Sequence, residues 1–246
     1  MQTASSIWSA SSMAGIAAAV LVVGQSLSGE VLDKVKAIRG TFVHYKLVLP
    51  KGYDSAKAYP AVLAFPGGPQ TYTIVEGTLE RNWRTEAERR GYIVVIPAAP
   101  DGDLFFEEGA RVFPEFLTQL LNDFKVAGNK FHIAGMSNGG LSAFHIAASY
   151  PQYFWSVTGF PGYLLDPTAS RVRALANLCI NMHVGELDPD WLSAMKQQSD
   201  QFHAQGFRVR FTVEKQQGHR LDTLAGDGAA RLFNQFEEAS HGCGAK

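Results

Sequence analysis

At 246 residues, with 46% hydrophobic and 18% charged, the chain has the length and composition of one globular domain with a sizeable core, not of a disordered or fibrous protein. A formal net charge of −1 offers no general attraction to nucleic acid or an anionic bilayer, so neither nucleic acid nor a stable membrane partner is expected. There is no zinc-type Cys/His spacing, no P-loop and no G-x-G-x-x-G after a strand.

Residues 1–29 hold no charged side chain. The apolar run Met13–Val23 is followed by small polar residues, with Ser26 and Ser28 at the −3 and −1 positions of a cleavage site. That layout predicts a secretory signal peptide and a secreted or periplasmic location. The basic residues that usually precede such a run are missing, and an uncleaved anchor fits the same stretch. Residues 30–240 then read as a single domain and 241–246 as a tail.

Within the domain, Thr41–Leu49 roughly alternates and is rich in β-branched residues, which predicts an antiparallel edge strand. Ala61–Phe65 is a buried strand running into Pro66-Gly67-Gly68-Pro69. Thr78–Arg90 reads as a helix, with Leu79, Trp83 and Ala87 on one side. Tyr92–Ile96 is a strand, Pro97–Arg111 a loop and Phe113–Val126 a helix. Phe131–Ala134 is another buried strand, and Leu141–Tyr150 a packed helix stopped by Pro151. Strands follow at Trp155–Phe160, Ile180–Val184 and Phe207–Val213, and helices at Pro189–Gln205 and Leu221–Ala239. The alternation predicts an α/β fold: a mostly parallel central sheet, helices on both faces and no large cap domain. Cys179 opens an apolar run and reads as a buried thiol; a bridge to Cys243 in the Gly-rich tail is the lesser alternative.

The stretch Gly135-Met136-Ser137-Asn138-Gly139 carries the chemistry. A strand, a sharp turn and a helix around G-x-S-x-G form a nucleophile elbow, which lifts the Ser137 Oγ clear of the backbone. Strand and helix then pass so closely that positions 135 and 139 have little room for a Cβ. A serine nucleophile needs a base, and the base an orienting carboxylate, supplied in the order Ser, acid, His from later strand ends. His219, beyond the strand Phe207–Val213, is the candidate base. His44, His132 and His183 fall inside strands, His145 and His203 on helices and His241 in the tail. Asp188 is the candidate acid, with Glu186 next; Asp190 fits better as the residue opening the following helix. The oxyanion hole is expected to take the Asn138 N–H and one from the loop after Phe65. Prolines lack the donor, which leaves Gly67 and Gly68, with Gly68 preferred.

These motifs resemble the α/β-hydrolase superfamily over nearly all of Thr41–Ala239. More narrowly they resemble the polyhydroxybutyrate-depolymerase and feruloyl-esterase type of secreted esterase. Phe65-Pro66-Gly67-Gly68, Gly135–Gly140, Gly185-Glu186-Leu187-Asp188 and Gly218-His219 carry the likeness. Pro66 stands where many members have His, which leaves the backbone donors intact. The resemblance implies ester hydrolysis through an acyl-serine intermediate with no metal and no cofactor. A serine peptidase of the prolyl-oligopeptidase type shares the elbow and is the alternative, with Glu107-Glu108 as its candidate amine site; a non-enzymatic module would not need all three triad residues.

Between the strand after the elbow helix and the acid lies only Pro161–Leu178, enough for a turn and one short helix. The site is therefore expected to be open, walled by Phe105, Phe106, Phe160 and Tyr163. Such a site suits a small-molecule or polymer-attached ester with a short or aromatic acyl group. The oligomeric state is not legible.

Overall fold

The computed structural model describes residues 29–243. The expected signal peptide therefore lies outside the described residues except for Gly29, as do tail positions 244–246. The described chain forms one eight-stranded sheet in the order β1-β2-β4-β3-β5-β6-β7-β8. The strands are β1 (Glu30–Ile38), β2 (Thr41–Leu49), β3 (Ala61–Phe65), β4 (Ile93–Pro97), β5 (Phe131–Gly135), β6 (Phe154–Gly159), β7 (Cys179–Gly185) and β8 (Val209–Glu214). From β4 across to β8 every pairing is parallel, and β1 and β2 run antiparallel on one flank.

The central strands are buried on both sides, and along β3 successive residues feed opposite cores. Leu63 and Phe65 of β3 join one cluster, Val62 and Ala64 the other. On the first face lie α3 (Glu115–Asp123), α4 (Asn138–Ser149) and α6 (Pro189–Ala204), with Phe116, Phe144 and Phe202 turned inward. On the second lie α1 (Tyr72–Thr78), α2 (Arg84–Arg90) and α7 (Ala230–Ser240). Trp83 is 1% exposed there, surrounded by the rings of Phe160, Phe233 and Phe236. This arrangement is the mostly parallel sheet with helices on both faces that the alternation predicts.

The structure corrects several element boundaries. Thr41–Leu49 is not the edge: β1 pairs along its whole length and takes the outer position. Its charged residues Glu30, Asp33, Lys34 and Lys36 obscure the strand pattern, and charge suits an edge strand because it discourages pairing with another chain. The helix expected from Thr78 begins at Tyr72 and passes through a π-helical turn at Leu79–Trp83 before α2. The last helix starts late, at Ala230, after short 3₁₀ turns at Asp222–Leu224 and Gly226–Ala229. Between β6 and β7 the one regular element is α5 (Ala169–Ala174).

The expected free thiol at Cys179 is also corrected. Cys179 begins β7, the end of α7 brings Cys243 alongside it with Cα atoms 5.5 Å apart, and the two form a disulfide. The residues are 64 apart in sequence, so spacing alone gave no hint of the contact. The bridge ties the last helix to the amino edge of the sheet. Closing a loop of that length restricts the unfolded chain, so Cys243→Ser should lower unfolding free energy by about 2–4 kcal/mol, read by urea titration of oxidised wild type and variant.

Candidate active site

The elbow follows from local sterics. Ser137 takes φ 57° and ψ −123°, a conformation that side chains bearing a Cβ rarely adopt. The turn is clamped on either side, Ser137 N donating to Pro161 O at 2.8 Å and Phe160 N to Gly135 O at 3.0 Å. A Cβ at position 139 would collide with the carbonyl oxygen of Phe65, and one at position 135 with that of Gly139. The two glycines are what allow β5, α4 and the end of β3 to meet at one point.

His219 and Asp188 reach Ser137 from the neighbouring strand ends. The His219 Nε2 lies 2.8 Å from Ser137 Oγ, and its Nδ1 lies 2.7 Å from Asp188 Oδ2. The carboxylate fixes the proton on Nδ1 and leaves Nε2 as an acceptor for the serine hydroxyl. Asp188 stands at the position before α6, yet its side chain makes no capping bond and points to the imidazole. The turns bearing Asp188 and His219 are laced together, Leu187 N donating to Gln217 O at 2.8 Å and Glu186 N to Glu214 O at 2.9 Å.

Glu186 is engaged elsewhere. It accepts from Lys215 Nζ at 2.8 Å and from Gln216 N at 3.0 Å, and the Lys215 bond, then that from Gln216, holds its carboxyl below the usual range. Asp190 falls in the first turn of α6, where a negative charge suits the helix dipole. Three other histidines are likewise occupied, His132 and His183 buried and His145 half-buried. His132 uses both ring nitrogens on Ser156 and Ser240, and burial pushes it down to about 3. His183 spends both on Glu214 and Gln235. His145 accepts from Arg171, and burial, helped by that guanidinium, lowers it to about 4.

Glu214, at the end of β8, anchors the turn that leads to His219. It takes a two-pronged bond from Arg231 at 2.7 and 2.9 Å and further bonds from Thr223 and His183. Burial works to raise its pKa, but the bonds from His183, Arg231 and Thr223 outweigh that and hold the carboxyl well below the usual range.

Across the site, Gly68 takes φ +57° in the loop after β3, and its carbonyl accepts from Asn138 Nδ2 at 2.9 Å. Among the described residues, neither the Gly68 nor the Asn138 backbone N–H is committed to a backbone acceptor.

The expected walls need correction. Phe105 is fully buried against Phe65 and Phe113, and Phe160 packs on Trp83 in the opposite core, so neither faces the site. Their positions at strand ends and in loops did not reveal the distant partners, Phe65 and Trp83, that take them into the cores. Phe106 is half-buried. Tyr163 meets Trp191 edge to face at 5.3 Å, and Trp191 meets the His219 ring at 5.0 Å. Trp191 was missed; its signal is an aromatic in the first turn after the acid, which helical geometry turns back toward the strand end. A groove of about 310 Å³ opens beside Tyr163, between Leu165, Pro167 and the α6 residues Gln197 and Gln201. A separate cavity of about 340 Å³ borders Cys179 and Arg208 at the amino edge, away from Ser137. The His219 side chain is 42% exposed, so the site faces water. Glu107 and Glu108 are exposed on the loop beyond Phe105. No cluster of metal-ligating side chains occurs among the described residues.

Residues 38–236 match the model of the Esterase family, described as "Putative esterase". Among solved structures the chain is similar to a ferulic acid esterase, with TM-score 0.69 and 17% identity over 88% of this chain and 99% of the other. It is also similar to an S-formylglutathione hydrolase from Agrobacterium tumefaciens, with TM-score 0.61 and 16% identity over 87% and 95%. A thermostable esterase gives TM-score 0.64 at 17% identity, over 86% of this chain and 61% of that one. Likenesses at this identity show the fold, that of the α/β-hydrolases. A dipeptidyl-peptidase 5 from Porphyromonas gingivalis is 31% identical over 120 residues, 44% of this chain. The chain spans 17% of that curated relative's length.

The competing partners of the two carboxylates make a direct test. Asp188→Asn should cut kcat by about 10³-fold or more, because the imidazole loses the group that holds its tautomer. Glu186→Gln should stay within about threefold of wild type, since it releases only exposed bonds. Steady-state hydrolysis of p-nitrophenyl acetate by the two folded variants checks both.

Proposed function

We propose, from the premise that the chain belongs to the Esterase family, that this ester hydrolase works through an acyl-serine intermediate formed on Ser137. The observation that carries the reading is the continuous chain Asp188–His219–Ser137, with links of 2.7 and 2.8 Å. His219 Nε2 takes the Ser137 proton as Oγ attacks the ester carbonyl, and the carbonyl π electrons move onto oxygen. The N–H groups of Asn138 and Gly68 receive that oxyanion. Collapse expels the alcohol, which takes the proton from His219, and Asp188 stabilises the imidazolium in between. Water then attacks the acyl-serine by the same route and releases the acid. No cofactor or metal enters the scheme.

Ser137→Ala should fold and lose about 10³-fold or more in turnover, and a fluorophosphonate should label the wild type at Ser137. Substantial turnover by the folded variant overturns the mechanism.

For the substrate we infer a short or aromatic acyl group, on a small or polymer-attached ester. Supporting this are the exposure of His219, the single six-residue helix between β6 and β7, and the aromatic pair Trp191 and Tyr163 beside the base. Flat rings at the edge of an open site favour planar groups by stacking and offer little enclosure to a long alkyl chain. The kcat/KM profile should peak at acetyl to butyryl or cinnamoyl-type esters, with no jump in rate at a lipid interface. An optimum at long acyl chains rejects this reading. The similarity to a dipeptidyl-peptidase favours, as a second reading, a serine peptidase of prolyl-oligopeptidase type. Efficient cleavage of aminoacyl amides, with slow cleavage of aryl esters, would select it.

A further inference from the structure

We propose that Gln70 is the positioning residue that fixes the oxyanion hole, joining its two halves through one buried side-chain amide. The inference rests on the acyl-serine reading of the site. Gln70 is 0% exposed, and its backbone takes φ +54°, where glycine would sit without strain. A long polar side chain held there, in the core, needs a reason, and its bonds supply one.

The Gln70 Nε2 has two hydrogens, and both are used. One goes to Pro66 O at 3.2 Å, the other to Ser142 Oγ at 2.9 Å. Oε1 accepts from Phe105 N at 3.1 Å. The backbone adds two bonds, Gln70 N donating to Gly67 O at 3.3 Å and Ala99 N donating to Gln70 O at 2.9 Å.

The geometry of the peptide unit turns these bonds into control of the hole. In a trans peptide the N–H points opposite to the C=O of the same plane. The Gly67 carbonyl and the Gly68 N–H share one plane, so the bond from Gln70 N to Gly67 O aims the Gly68 N–H the other way. The amide bond to Pro66 O holds the preceding plane. On the helix side, Ser142 Oγ donates to Asn138 O at 2.8 Å, so the second hydrogen of the same amide braces the first turn of α4, which carries the Asn138 N–H. The Asn138 side chain closes the ring by donating to Gly68 O at 2.9 Å. Loop and helix therefore keep one spacing, and the bond to Phe105 N ties the brace to the aromatic core. Gln70 touches neither substrate nor reacting atom; it acts through Gly68 and Asn138.

The effect should appear where the oxyanion forms and not where the ester binds. The experiment uses p-nitrophenyl butyrate as substrate and an aryl trifluoromethyl ketone as inhibitor. Ser137 Oγ adds to the ketone carbonyl, its proton passes to His219, and the carbonyl electron pair becomes an oxyanion in the hole with no group leaving. Active sites are counted with a fluorophosphonate, so that kcat is expressed per competent site. Gln70→Met keeps the shape and removes the bonds. It should lower kcat about 10- to 100-fold, less than deletion of a donor itself, with KM within about twofold and the ketone inhibition constant raised by the same factor as kcat falls. Ser142→Ala, which cuts only the link to α4, should lower kcat about three- to tenfold with a matching loss of ketone affinity. It carries the test alone if Gln70→Met does not fold. A merely structural lesion would reduce the number of titrated sites and leave both constants unchanged. Wild-type constants per site in a folded variant, or a fall in kcat without loss of ketone affinity, overturns the inference while labelling at Ser137 leaves the acyl-serine reading standing. Failure of the fluorophosphonate to label wild-type Ser137 overturns that reading, and the inference with it.

Discussion

The structure depends on three backbone segments passing within van der Waals contact at Ser137. The carbonyl of Phe65 at the end of β3 lies where a Cβ on residue 139 would be, and the Gly139 carbonyl lies where one on residue 135 would be. That approach forces the chain between them into the left-handed turn that Ser137 occupies. Such a conformation is unfavourable by about 1–3 kcal/mol and persists only where the surroundings over-determine it. Here they do: the turn is bonded to Pro161 and Phe160 on one side and α4 is packed into the first core on the other. The strained serine is thus held by the part of the molecule least able to relax.

The same constraint explains why the other site residues come from loops and still converge. Parallel strands put all their carboxyl ends on one edge, so β3, β5, β7 and β8 deliver Gly68, Ser137, Asp188 and His219 to one place. Each loop is tied to its neighbour near its root. The Glu214 carbonyl accepts from Glu186 N of the β7 turn, and Arg231 from α7 holds the Glu214 carboxylate in turn. The charge of Glu214 is buried, but every polar contact it needs is present, so breaking one partner would leave an uncompensated carboxylate under the base.

What was legible in the sequence follows from the range of the interactions involved. The elbow was legible because its determinants, two glycines and a serine between an apolar run and an Ala-rich helix, lie within a few residues. Asp188 and His219 were legible because strand order limits which loops can reach the elbow. The edge strand β1 was hidden by the charges that edge strands carry. The orientation of Phe105 and Phe160 was not legible because pointing into a core or into a cleft depends on partners far along the chain, Phe65 and Trp83 respectively. The Cys179–Cys243 contact is of the same kind, set by where α7 ends after crossing the sheet. Trp191 had a signal in its place just after the acid, but only the fold of α6 brings it onto the imidazole.

The two halves of the site are built to different standards, and the difference suits the chemistry proposed for them. The half that would receive negative charge presents the exposed Gly68 and the half-buried Asn138, but its peptide planes are held from beneath by a fully buried glutamine with its amide fully used. Fixed dipoles stabilise a developing charge well because they need not reorganise when it appears. The half that would move protons is exposed, and its imidazole is held by one carboxylate and the edge of one indole. A base that must accept a proton from Ser137, pass it to a departing alcohol and then take another from water gains from access to solvent, provided its Nδ1 stays anchored. Asp188 provides that anchor because its side chain, free of the capping bond its position invites, is left to the imidazole. Glu186 lies two residues closer to the strand end, where the twist of the turn directs its carboxylate to Lys215 and the Gln216 amide instead. The choice between two acids in one short turn is therefore made by backbone direction and not by acidity.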